Sequence, residues 1–91
     1  MEENMAYIVT LNSAARRQIK KLPSPVQDKI THALTDLRID PRPHRAKNYK
    51  VLKKFALRVG NYRVIYEIKD RNLMVLVMRV GDRKEIYREY G

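Results

Sequence analysis

Two stretches of the chain echo one another, RVGNYR at 58–63 and RVGDRK at 79–84, and the second runs on into EIYREYG. The side chains in them that could do chemistry are arginine, lysine and tyrosine. Arginine binds phosphate oxygens with two parallel hydrogen bonds and stays charged at any working pH. It can therefore stabilise the extra charge that builds on a pentacoordinate phosphorus. A lysine or tyrosine among such cations can exchange a proton. RNA carries its own nucleophile, the 2′-hydroxyl. Several cations and a tyrosine could thus cut RNA by internal attack on the adjacent phosphate. Basic faces that bind RNA and do no chemistry have the same parts, so residue types leave both outcomes open.

Other chemistries lack their residues. The chain has no cysteine, and its two histidines, His32 and His44, have no carboxylates at metal-ligand spacing. No metal and no cofactor is expected. With three glycines there is no phosphate-cradling loop. Ser13 and Ser24 read as helix caps and have no visible base, so acyl transfer is unsupported.

Ninety-one residues allow one domain, 1–91. Twenty Lys and Arg against ten Asp and Glu give a net charge of +10, which favours polyanions and nucleic acid above all. The longest apolar run, LMVLVM at 73–78, is too short to span a bilayer. The acidic start MEENMAYIV does not resemble a signal peptide. A cytoplasmic protein with no membrane partner is the expectation.

The elements that must position the cations follow from pattern. AYIVTL at 6–11 reads as a strand, and SAARRQIKKL at 13–22 as a helix capped by Asn12 or Ser13 and ended by Pro23. Ser24, Pro25 and Gln27 suggest the capping box of a second helix, whose stripe is Val26, Ile30, Ala33, Leu34 and Leu37 and whose stop is DPRP at 40–43. The pair should form a hairpin on one face of a sheet. The basic stretch 44–54 reads as a loop with a short strand at 49–52. Strands at 55–59, 62–69 and 73–80 then form a meander. The fold class is α+β: an N-terminal strand and a helical hairpin packed on a mostly antiparallel sheet.

The Gly60-Asn61 loop fixes the register of the first hairpin. Val59 opposes Tyr62, Arg58 opposes Arg63, and Phe55 opposes Tyr66. Alternation puts Phe55, Leu57, Val59, Tyr62, Val64, Tyr66 and Ile68 toward the helices. The outer face takes Lys54, Ala56, Arg58, Arg63, Ile65 and Glu67 and should be a basic surface. Arg58 facing Arg63 is a repulsive cross-strand pair that Glu67 or Asp82 could neutralise or that an anion such as phosphate would relieve. The last strand has two possible phases because its KDRN turn could hold two or four residues. If Arg79 joins the basic face, simple alternation sends Val75 and Val77 with it and leaves Met74, Leu76 and Met78 in the core. A strand apolar on both faces should be flanked on both sides.

The segment LRVGNYRVIYEIKDRNLMVLVMRVGDRKEIYRE resembles the C-terminal half of RelE-type toxins of the RelE/ParE superfamily. The order of elements extends the likeness over nearly the whole chain. The resemblance implies a metal-independent endoribonuclease that enters the ribosomal A site and cleaves translated mRNA. It implies a cognate antitoxin as partner besides the ribosome and mRNA. By position it implies catalytic roles for Lys54, Arg63, Arg83 and Tyr87: base or charge stabiliser, scissile-phosphate ligand, stabiliser or proton donor, and base-stacking or proton-shuttling group. Lys47, Lys50, Lys53, Arg58 and Arg79 are the candidate RNA-binding cations. Ala56 stands where the family commonly has a second Lys or Arg, which puts the general base in doubt. The tail is expected to be extended or one helical turn. A gyrase-poisoning relative of the same fold, and an RNA- or ribosome-binding module without catalysis, are the competing functions. The weak apolar face of the first helix and the +10 charge suggest that the partner brings an acidic or amphipathic helix.

Overall fold

The computed structural model describes residues 6–91, so the acidic start lies outside the described residues. The elements are β1 (Ile8–Leu11), α1 (Ser13–Lys20), α2 (Ser24–Leu37), β2 (Ala46–Tyr49), β3 (Lys54–Val59), β4 (Tyr62–Lys69), β5 (Met74–Asp82) and α3 (Arg83–Tyr90). One five-stranded sheet has the order β1-β5-β4-β3-β2. β1 runs parallel to β5 and every other pair is antiparallel. β5 is flanked on both sides, as its two-sided apolar sequence required.

Local chemistry explains the helices. Asn12 caps α1 by accepting from the Ala15 amide at 2.8 Å. The expected box at Ser24 does not form: Pro23 is the entry residue of α2, and no side chain caps it. Gln27 instead donates to the carbonyl of Leu22 at 2.8 Å, which ties the end of α1 to the start of α2. The reason is competition. The last carbonyls of α1 have no partner within their own helix, and Gln27 is within reach of them.

Both helices cover one face of the sheet. Ala15 of α1 and Ile30, Ala33 and Leu37 of α2 are buried against Leu57, Val59, Val64, Tyr66, Val75, Val77 and Val80. The hairpin register is as the Gly60-Asn61 loop dictated, with Arg58 opposite Arg63, and Gly60 takes φ +58°. Tyr66 is the largest fully buried side chain. Its hydroxyl donates to the Pro41 carbonyl at 2.7 Å, and burial pushes the phenol far above its ordinary pKa. Tyr66→Phe should leave that carbonyl without a donor and cost about 1–2 kcal/mol in chemical denaturation, with no loss of packing.

Three further expectations are corrected. The short strand lies at Ala46–Tyr49, not 49–52, because Lys50–Lys53 make the turn into β3 and Lys53 takes φ +57°. The tail is an eight-residue helix, α3, not an extended end or one turn. Asp82 and Glu85 form a full capping box that starts it, with Glu85 N to Asp82 Oδ1 at 2.9 Å. Finally, Val75 and Val77 are core although Arg79 faces outward. Ile65 pairs with Arg79 and Tyr66 with Val77, so Met78 is an extra residue, and this β-bulge shifts the alternation. The Val80 amide beyond the bulge donates to Gln18 Oε1 of α1 at 2.7 Å. The 69–74 turn holds four residues between the paired Lys69 and Met74.

Candidate functional site

The outer face of the sheet is not a bare basic surface. Ala56, Ile65 and Ile86 form a second, small core there, with Tyr49 and Tyr90 against it. α3 lies on this face through Ile86, and three further ties hold it. Arg79 donates to Glu89 twice, at 2.7 and 3.1 Å, Tyr90 packs on Tyr49 at 6.3 Å between centroids, and the Arg83 amide bonds the Asn61 carbonyl at 2.9 Å. The two echoed segments meet here, because Arg63 pairs with Gly81 and Tyr62 with Asp82. A Cβ at Gly81 would stand 3.0 Å from Glu85 Oε1 and 3.3 Å from Ile86 Cδ1, so those side chains would have to give by a few tenths of an ångström.

Between α3 and strands β2 to β4 an open cleft of about 310 Å³ remains. Its lining is Arg45, Lys47, Tyr49, Ala56, Arg58, Arg63, Arg83, Ile86, Tyr87 and the terminal Gly91. Each side chain arrives by simple geometry. Arg45, Lys47 and Tyr49 alternate onto the outer face of the edge strand and its approach, and Arg58 and Arg63 face each other on β3 and β4. Arg83 and Tyr87 are four apart on α3 and share its cleft side.

The electrostatics are one-sided. Among the described residues, Arg45, Arg58, Arg63 and Arg83 have no carboxylate within ion-pair distance; the ion pairs are Arg42–Asp70, Lys54–Glu67, Lys69–Glu67 and Arg79–Glu89. Partial burial, then repulsion from Arg83 and Arg58, pushes the Arg63 guanidinium below its ordinary pKa. Arg63 is held by the carbonyls of Gly60 at 3.0 Å and Tyr62 at 2.9 Å, so its position is fixed before any anion arrives. A preset cluster of arginines held outside any ion pair is a site for a polyanion.

The structure sorts the residues expected from sequence. Arg63, Arg83, Tyr87, Arg58 and Lys47 come together in the cleft. Lys54 does not line it; its ammonium pairs with Glu67 at 3.2 Å. Burial pushes the Glu67 carboxyl up, but hydrogen bonds from Lys54 and Lys69 outweigh that and hold it below its ordinary value. Lys50 and Lys53 sit in the β2–β3 turn, outside the lining. Arg79 faces outward as expected, yet its guanidinium is engaged by Glu89, which raises its pKa, so it anchors α3. Arg45 and Tyr49 were missed. Placing β2 at 49–52 hid the alternation that brings them beside Lys47; strand placement at 46–49 is the signal that reveals them.

Comparison with known proteins gives this arrangement relatives. Residues 9–87 match the family model described as the ParE toxin of the type II toxin–antitoxin system parDE. The chain is 34% identical to toxin RelG of Mycobacterium tuberculosis, over 92% of this chain and 99% of that one. It is 29% identical to the mRNA interferase toxin RelE of Escherichia coli K12, over 93% and 94%. In structure it matches the RelBE2 toxin–antitoxin complex of M. tuberculosis with a TM-score of 0.76 at 29% identity, covering 91% of this chain and 98% of that one. It matches isolated E. coli RelE with the same TM-score at 26% identity, over 92% and 94%. The chain belongs to the ParE toxin family of type II toxin–antitoxin systems, with RelE-type toxins among its relatives.

Proposed function

We propose that the chain is an endoribonuclease that cleaves translated mRNA in the ribosomal A site and so inhibits translation. The observation that carries this reading is the convergence of Arg45, Arg58, Arg63 and Arg83 with Tyr87 around one cleft, none of the four arginines being ion-paired among the described residues. The reaction is attack by the RNA's own 2′-hydroxyl on the adjacent phosphorus. Arg63, held by two carbonyls, receives the scissile phosphate, and Arg83 stabilises the charge that develops as the bond to the leaving oxygen lengthens. Tyr87, 71% exposed at the rim, offers a ring for a base to stack on. The guanidiniums supply the positive charge, so the reading is metal-independent. Lys54, paired with Glu67, lies outside the lining and takes no direct part in this reading.

The relatives named mRNA interferases support this chemistry, and the neighbours solved as toxin–antitoxin complexes support a cognate antitoxin as the neutralising partner. A chain that acts on translated messages would act in the cytoplasm, where the ribosomes are. No helix among the described residues is long and apolar enough to cross a membrane. The family description names ParE, which keeps gyrase as the competing target. Inducing the chain in a bacterium, mapping the 5′ ends of mRNA and assaying gyrase supercoiling separates the two. New ends within translated frames, with supercoiling intact, are expected. Intact messages with blocked supercoiling would overturn the proposal in favour of the gyrase target.

A further inference from the structure

We propose that Lys47 is the proton-accepting amine of the cleft, an inference that rests on the endoribonuclease reading above. Sheet register carries it. Lys47 pairs directly with Ala56 across β2 and β3, on the outer face, and both residues line the cleft. Among the ten residues that line the cleft, Lys47 is the one lysine. The other nitrogen bases there are guanidiniums, which do not give up a proton in water near neutrality. Lys54, the neighbouring alternative on β3, lies outside the lining and is paired with Glu67 at 3.2 Å.

Lys47 is also positioned. Its Nζ lies 4.7 Å from the centroid of the Tyr49 ring, a cation–π contact, and Tyr49 is in turn packed by Tyr90 at the end of α3. The amine therefore sits on an aromatic platform at the wall of the cleft, with Arg58 on the strand opposite. Tyr49 is engaged as that platform and Tyr87 stands at the exposed rim, which leaves Lys47 as the one amine of the lining.

The step balances as follows. The unprotonated Lys47 amine takes the 2′-hydroxyl proton while the O2′–P bond forms. The P–O5′ bond breaks, and the departing 5′-oxygen takes a proton from water. The products are a 2′,3′-cyclic phosphate and a 5′-hydroxyl end, and the ammonium returns its proton to solvent.

The test is single-turnover cleavage of a message in the A site of purified ribosomes, from neutral to alkaline pH. The chains compared are wild type, Lys47→Ala, Lys47→Arg and Lys54→Ala, each first checked for wild-type thermal unfolding and ribosome binding. Lys47→Ala and Lys47→Arg should both fall by about 10²–10⁴-fold and lose the rise in rate with pH, since arginine keeps the charge and cannot serve as base. Lys54→Ala should lose less than either. A Lys47→Arg rate nearer wild type than the alanine variant's would overturn the assignment, as would a pH rise that persists in Lys47→Ala or a larger loss in Lys54→Ala. Those results leave wild-type cleavage intact and so spare the wider reading. A wild-type chain that leaves ribosome-bound messages whole sinks both.

Discussion

Arg63→Ala is expected to cut cleavage of ribosome-bound mRNA by about 10²–10³-fold without destabilising the fold. The loss follows from the position of the guanidinium, which two backbone carbonyls hold among Arg58 and Arg83 before RNA arrives. Preset charge of this kind costs no reorganisation as the transition state forms. Stability should move the other way, because the substitution removes a like-charge pair directly across β3 and β4. The gain should be small, on the order of a few tenths of a kcal/mol, and should shrink as salt rises. Thermal unfolding at low and high salt, beside the cleavage rate, checks both halves. A melting temperature well below wild type would make Arg63 a structural residue. Arg83→Ala should lose activity similarly, its exposed position at the start of α3 leaving the fold intact.

Ile86→Ala should disable the site from a distance. Ile86 is 2% exposed and is the buried side chain by which α3 sits on Ala56 and Ile65. Truncating a buried isoleucine costs about 2–5 kcal/mol where the structure cannot collapse into the gap. An eight-residue helix has almost no stability of its own, so it depends on such contacts. The remaining ties, led by the part-exposed Arg79–Glu89 pair, are each worth about 1 kcal/mol or less. The expected result is loss of amide protection over 83–90 in hydrogen exchange, with cleavage reduced at least as far as by Arg83→Ala. Global stability should fall by no more than the docking of α3 contributes, because the main core lies on the opposite face under α1 and α2. Full protection of α3 together with wild-type cleavage would show that the exposed ties suffice.

Much of this was legible in the residues. The Gly60-Asn61 loop set a two-residue hairpin, and the period of two then placed Arg58 and Arg63 together on the outer face. The stripe from Val26 to Leu37 set α2 and the face of the sheet it covers. Local rules reach this far because they act between neighbours in sequence, through turn geometry and side-chain period. They failed where a distant partner decided the outcome. The bulge at Met78 is invisible to alternation, since the extra residue is defined only against the paired strand. The Ser24 cap gave way to a Gln27 bond to the Leu22 carbonyl in the turn between α1 and α2.

The same division runs through the site. Sequence determined that Arg63, Arg83 and Tyr87 exist in a basic context and that Arg58 faces Arg63. Tertiary structure decided that the tail is a helix lying on the sheet, that Arg79 holds that helix, and that Lys54 is tied to Glu67 outside the cleft. It also brought Arg45, Lys47 and Tyr49 of the edge strand against Ala56 and Arg58. These are pairings between different elements, which no period within a single strand or helix specifies. Their choice depends on which apolar side chains, Ile86 above all, find a buried place on the outer face.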